Sequence, residues 1–256
     1  MKAQERSVNV LEIDNAVKRF GNLVAVGGVS MSVPKGELRA IIGPNGAGKT
    51  TFFNLISGFF APTAGTIRFD GHDITTLPTH QRVKRGMART FQVTEIFPEL
   101  TVFENVRIST EVAAGYGMRA FLSRAEQAEI AERVAAALDL VGLSAKAGRL
   151  VGELSHGDQR ASEIAMALAL RPHLLLLDEP TAGMGDQETH EIAKLIRRLH
   201  RESNFTIVLI EHDMRVVFHL ADRISVLDQG RLLAEGTPRE IAANDSVQAA
   251  YLGKAA

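Results

Sequence analysis

The chain has 256 residues, 29 basic against 30 acidic side chains, a formal charge of −1 and no cysteine. That excludes a disulfide scaffold, a thiol nucleophile and any thiolate metal site, and the missing basic excess argues against non-specific nucleic-acid binding. No stretch approaches the roughly 18 apolar residues of a membrane span, and the N-terminal ten residues lack the apolar run of a secretory signal.

The predicted elements follow in chain order. Residues 8–13 alternate apolar and polar, a strand pattern. Residues 36–42 form a short apolar run that ends in a glycine loop. Residues 66–69 form a strand leading into Asp70-Gly71, a tight-turn signal. From 102 to 141 the pattern becomes helical and alanine-rich. Ser123-Arg124-Ala125-Glu126 reads as a capping box, in which the Ser oxygen and the Glu carboxylate each satisfy a backbone N–H. Behind it Ile130, Val134, Leu138 and Val141 repeat on one helical face, which predicts a helical insert with its own small core. Residues 174–177 are wholly apolar, as in a strand covered on both faces. Residues 186–202 read as a helix, and 205–210 and 224–227 as two more buried strands. Thr237-Pro238-Arg239-Glu240 is a second capping box, with proline at the first helical position. Strands alternating with helices predict an α/β domain with a mainly parallel core sheet, and antiparallel strands at its N-terminal side.

Two motifs carry chemistry. Gly43-Pro44-Asn45-Gly46-Ala47-Gly48-Lys49-Thr50-Thr51 fits the P-loop pattern G-x-x-x-x-G-K-[ST]. Its glycines let successive N–H groups face one anion, and the following helix adds its positive end. Lys49 is placed to reach the β and γ phosphates, and the Thr50 hydroxyl to ligate Mg²⁺. The second motif is Asp178-Glu179 at the C-terminal end of an apolar strand, the ligand edge of an open α/β sheet. Asp178 suits a Mg²⁺ ligand, direct or through water. Glu179 suits the group that orients or deprotonates an attacking water.

Leu154-Ser155-His156-Gly157-Asp158-Gln159-Arg160, just before the acidic strand, resembles the L-S-G-G-Q signature of ATP-binding-cassette ATPases. The resemblance runs through nearly the whole chain in family order. It implies that Gln92 is the Q-loop glutamine, serving metal and water, that His212 is the switch histidine, and that Phe20 stacks on adenine. It implies a P-loop NTPase fold with ATP and Mg²⁺ as cofactors. Residues 8–100 and 160–236 would form the nucleotide-binding core, 101–159 a helical subdomain carrying the signature, and 237–256 a helical tail. It also implies a head-to-tail dimer in which Ser155, His156, Gly157 and Asp158 face the ATP of the other subunit. Two departures stand out. His156 and Asp158 replace the usual Gly and Gln, and Gly185 occupies a usually acidic position, with Asp186 one residue late. A carboxylate near a γ phosphate is repulsive, so Asp158 is expected to point away.

Phe53-Asn54-Leu55-Ile56-Ser57-Gly58, Asp70-Gly71-His72-Asp73-Ile74, Arg89-Thr90-Phe91-Gln92 and the ending Tyr251-Leu252-Gly253 resemble the ATPase subunits of branched-chain amino-acid importers. Relatives of that pattern serve urea, amides and aromatic acids. The implied partners are a second ATPase subunit, the same or different, a transmembrane permease docked near residues 92–97, and indirectly a periplasmic solute-binding protein. The implied location is cytoplasmic, peripheral on the inner face of the membrane, with no nucleic-acid partner. A soluble cassette acting on ribosomes or DNA remains open at this stage, as does a P-loop kinase.

Overall fold

The computed structural model describes residues 8–90, 96–116, 119 and 121–252. Its strands and helices in chain order are β1 (Asn9–Phe20), β2 (Leu23–Pro34), β3 (Leu38–Ile42), α1 (Lys49–Ser57), β4 (Ala64–Phe69), β5 (His72–Asp73), α2 (Thr79–Lys84), β6 (Met87–Arg89), α3 (Val102–Ala113), α4 (Arg124–Val141), α5 (His156–Ala169), β7 (Leu174–Asp178), α6 (Asp186–Ser203), β8 (Thr206–Ile210), α7 (Met214–Leu220), β9 (Arg223–Asp228), β10 (Arg231–Gly236), α8 (Pro238–Ala242) and α9 (Asp245–Leu252). The chain divides into two compact units, Met1–Arg82 with His200–Ala256, and Val83–Leu199.

The first unit holds an antiparallel sheet in the order β2-β1-β4-β5. Its hairpin from β1 to β2 carries a bulge at Asn15, which adopts φ 47° where the register shifts. Gly28 faces that bulge at φ 90°, and a Cβ there would lie 2.7 Å from the Asn15 Oδ1. A second sheet brings β3 between β8 and β9, parallel to both, with β10 antiparallel on β9. All five residues of β3 are buried, as a strand flanked on both edges and covered on both faces must be. The expectation of a mainly parallel core with antiparallel strands at its N-terminal side therefore holds.

Arg82 is the buried cation that closes the far end of α1. Its guanidinium donates to the carbonyls of Leu55 and Ile56 at 2.7 Å each, and to those of Ile74, Leu77 and Thr75. The last carbonyls of a helix have no partner within it and carry partial negative charge, so a cation placed there satisfies both needs. Burial pushes the guanidinium down to about 10, which still leaves it charged at neutral pH. Gly58 is the C-cap of α1 at φ 78°, and a Cβ there would sit 2.6 Å from the Arg82 Nε. Glycine is required for both reasons.

The second unit pairs β6 and β7 in parallel, with Met87, Ala88 and Arg89 opposite Leu174, Leu175 and Leu176. It also holds α3, α4 and α5, which pack on one another. The expected helical region over 102–141 is built as α3 and α4, each opened by its own capping box, at Thr101 and at Ser123. The Ser123 box expected from the sequence is present, and so is that at Thr237, with Pro238 at the first turn of α8. In all three boxes the N-cap backbone N–H holds the partner carboxyl of Glu104, Glu126 or Glu240 below its ordinary range. Ile130, Val134, Leu138 and Val141 are buried as predicted. Asn105 is also buried, and its amide bridges the N–H and carbonyl of Phe97 and the carbonyl of Thr101.

Replacing Arg82 by Met should cost about 3 kcal/mol, since five carbonyls lose a charged donor. That is a fall of roughly 6–12 °C in melting temperature for a chain of this size. Calorimetry of the variant checks it, and a loss under about 2 °C contradicts it.

Candidate functional site

The P-loop is built by the turn from β3 into α1. Gly43 sits where a Cβ would lie 2.1 Å from the Leu227 carbonyl oxygen at the end of β9, and Gly48 where it would lie 2.4 Å from that of Ala25. Neither site admits a side chain, so the backbone approaches its neighbours more closely than any other residue allows. Ala47 accepts the Gly230 N–H through its carbonyl at 3.0 Å, which ties the loop to the turn between β9 and β10. Gly48 is the N-cap of α1 at φ 92°, with no side-chain cap and no acid in the first turn. The first N–H groups of α1 thus meet no carboxylate of their own helix, an arrangement suited to an anion. Lys49 is buried, and its ammonium donates to the Gly43 and Pro44 carbonyls at 2.7 and 3.0 Å. Asn45, Gly46 and Thr50 are exposed, and Thr51 is half-buried. The loop glycines, Lys49, Thr50 and Thr51 therefore stand together on one turn whose geometry suits an anion.

The acidic strand end belongs to the second unit. Asp178 closes β7 and is 2% exposed. Its Oδ2 accepts from Arg89 Nη2 at 2.7 Å, while its Oδ1 is buried with no hydrogen-bond partner. A buried carboxylate oxygen left without a donor is costly, and a hard cation such as Mg²⁺ takes such oxygens as ligands. Asp178 therefore fits the metal role on its own geometry. Glu179 follows at φ 47°, a left-handed conformation rare for a residue with a Cβ. Arg160 of α5 holds that turn by donating to the Glu179 carbonyl at 3.1 Å and the Pro180 carbonyl at 3.2 Å, and it pairs with Glu163. Sequence reading saw Arg160 only as the end of the signature.

At the signature, Ser155 is the N-cap of α5 and accepts the Asp158 N–H at 3.2 Å. The Gly157 N–H donates to the Glu188 carboxylate at 3.2 Å. His156 is exposed at the first turn. Asp158 forms an ion pair with Lys146, so the departure from Gln brings its own countercharge, a pairing that spacing alone did not reveal. Gly185 offers its carbonyl to the Thr189 N–H at the start of α6, and the space where its Cβ would stand is open.

His212 is exposed just past β8. Its backbone N–H donates to the buried Glu211 carboxylate at 2.8 Å, which fixes the turn before α7. Phe20 is 44% exposed at the end of β1. It meets Phe60 edge-on at 5.3 Å, and the Lys18 ammonium lies 5.2 Å from both ring centroids. Phe60 and Lys18 were not read from the sequence, although Phe59-Phe60 directly follow the C-cap glycine of α1. Gln92, with most of the expected permease-docking segment, lies outside the described residues. Tyr251, in α9, is 40% exposed, and its partial burial pushes the phenol up to about 12, with the Gly43 backbone acting in the opposite direction.

Residues 26–182 match the family model described as ABC transporter, and 231–256 match that described as branched-chain amino acid ATP-binding cassette transporter. The chain is 43% identical over 252 residues to the high-affinity branched-chain amino acid transport ATP-binding protein BraF of Pseudomonas aeruginosa, covering 96% of this chain and 98% of the relative. It is 42% identical over 251 residues to the corresponding protein LivG of Escherichia coli K12, covering 96% and 98%. Among solved structures it is similar to the ADP conformation of an ATP-binding cassette, with TM-score 0.85, 32% identity and coverage of 96% and 99%. It is also similar to a dimeric post-hydrolysis cassette bound to ADP and Pi, with TM-score 0.74, 28% identity and coverage of 90% and 99%.

Gly43→Ala forces the loop off the Leu227 carbonyl. The expected loss in affinity for a fluorescent ADP analogue is roughly tenfold to a hundredfold, the range of a core overpacking defect. Affinity within threefold of the parent contradicts the close-approach argument.

Proposed function

The chain belongs to the family of ATP-binding-cassette transporter ATPases, and on that premise we propose that it hydrolyses ATP to drive import of a branched-chain amino acid through permease subunits carried on other chains. The observation that carries the ATPase reading is the uncapped, acid-free start of α1 behind a glycine loop that holds Lys49. The match of the C-terminal segment 231–256 supports the amino-acid assignment. Among the described residues no helix is long and apolar enough to cross a membrane, so a partner must supply the path.

In this reading the P-loop N–H groups and Lys49 hold the β and γ phosphates, and Phe20 offers its ring to adenine. Thr50, Asp178 and Gln92 would hold Mg²⁺. When bound, Mg²⁺ supplies positive charge to the phosphate oxygens as the γ phosphoryl group leaves. Glu179 accepts the proton of the attacking water or orients it, Gln92 assists in placing that water, and His212 contacts the γ phosphate. Water adds to phosphorus, the bond to the β-phosphate oxygen breaks, and ADP and inorganic phosphate leave.

Ser155, His156, Gly157 and Asp158 serve the nucleotide of a second ATPase subunit. A dimer is supported by the dimeric cassettes to which the chain is similar, and a heterodimer fits the importer type. The Asp158–Lys146 pair supports a working signature, because it neutralises the charge that would repel a γ phosphate. The assembly sits on the inner face of the membrane and receives its solute from a periplasmic binding protein.

Glu179→Gln should bind ATP within about threefold of the parent and lose turnover at least a hundredfold, the usual weight of a general base. It should also elute as an ATP-dependent dimer. Phosphate release at the parental rate overturns the role of Glu179.

A further inference from the structure

Asp178 is buried, and the side chain of its partner Arg89 is 9% exposed. The pairing is set by the sheet. Arg89 lies opposite Leu176 in the parallel register of β6 and β7, and the Thr90 N–H donates to the Leu176 carbonyl at 2.9 Å. Asp178 is two residues beyond Leu176, so it lies on the same face of the sheet. The guanidinium reaches one carboxylate oxygen, Oδ2, and leaves Oδ1 buried without a hydrogen-bond partner.

A carboxylate buried to this degree needs a countercharge. We propose that Arg89 is the resident cation of Asp178, a positioning residue that balances the carboxylate in the metal-free chain and opposes Mg²⁺ when it arrives. Arg89 thereby sets the Mg²⁺ concentration at which the site loads. The inference rests on the assignment of Asp178 to the metal and goes beyond it, because no part of that assignment requires a guanidinium on the same carboxylate.

Two consequences have opposite signs, which separates this role from a merely structural one. Without metal, loss of Arg89 strands a buried negative charge and lowers stability. With metal, the same loss would remove a positive charge from the carboxylate that holds the divalent cation, in surroundings that screen poorly, and tighten binding. A residue that only held the carboxylate in its rotamer would weaken both states.

The test is thermal unfolding of the full chain at fixed ADP while MgCl₂ is varied, compared for the parent, Arg89→Gln, Arg89→Lys and Asp178→Asn. Arg89→Gln should melt several degrees lower than the parent without Mg²⁺. It should reach half of its Mg²⁺-dependent stabilisation at roughly one-tenth of the parental concentration, the change expected from about 1.4 kcal/mol. Arg89→Lys, which keeps a charge but only one point of contact, should shift the half-point in the same direction by less, and it serves if the Gln variant does not fold. A half-point unchanged or raised in either Arg89 variant overturns the proposal. Asp178→Asn tests the underlying assignment separately. It should raise the half-point, and if it does not, the metal assignment fails and the inference with it.

Discussion

The Leu227 and Ala25 carbonyl oxygens set the shape of the phosphate cradle. They stand so close to Gly43 and Gly48 that no Cβ fits between, and the turn from β3 to α1 is pressed into the space that remains. Hydrogen bonds reinforce the confinement. Gly230 donates to Ala47, and Gly27 donates to Gly230, so the loop, the hairpin and the turn from β9 to β10 hold one another. Lys49 donates its ammonium to the loop's own carbonyls, which satisfies a buried cation.

A second theme is the use of arginine to hold backbone and charge in place. Arg82 closes α1 at the end opposite the P-loop. Arg39, 1% exposed, joins Glu37, Ser225 and Glu235 beneath the first unit's sheets. Arg160 holds the turn in which Glu179 adopts its unusual φ, and Arg89 balances Asp178. The planar guanidinium groups of Arg82, Arg39 and Arg160 each meet several acceptors in a fixed fork that an ammonium does not offer. Arg160 and Arg89 both hold the strand end that carries Asp178 and Glu179.

Local patterns were legible in the sequence wherever the cause was local. The P-loop spacing, the apolar strand before Asp178, the capping boxes at Ser123 and Thr237, and the face of Ile130, Val134 and Leu138 all appear as read. What was not legible depends on partners distant in sequence. Lys146 beside Asp158, Glu188 beside Gly157 and Arg89 beside Asp178 are pairings that only the fold creates. The burial of Arg39 and Arg82 runs against the ordinary exposure of arginine and follows from carbonyls gathered out of separate segments.

The central claim is that the close backbone packing at Gly43 and Gly48 sets the shape of the cradle. A crystal structure of the chain with Mg²⁺ and ADP tests this most directly. The account predicts that the Cα atoms of residues 43–51 superpose on the present ones within about 1 Å, the usual shift of a pre-formed site. It also predicts that Lys49 turns from the Gly43 and Pro44 carbonyls to the phosphates. A rearrangement of the loop by more than about 2 Å, with Gly43 drawn away from Leu227, would contradict it.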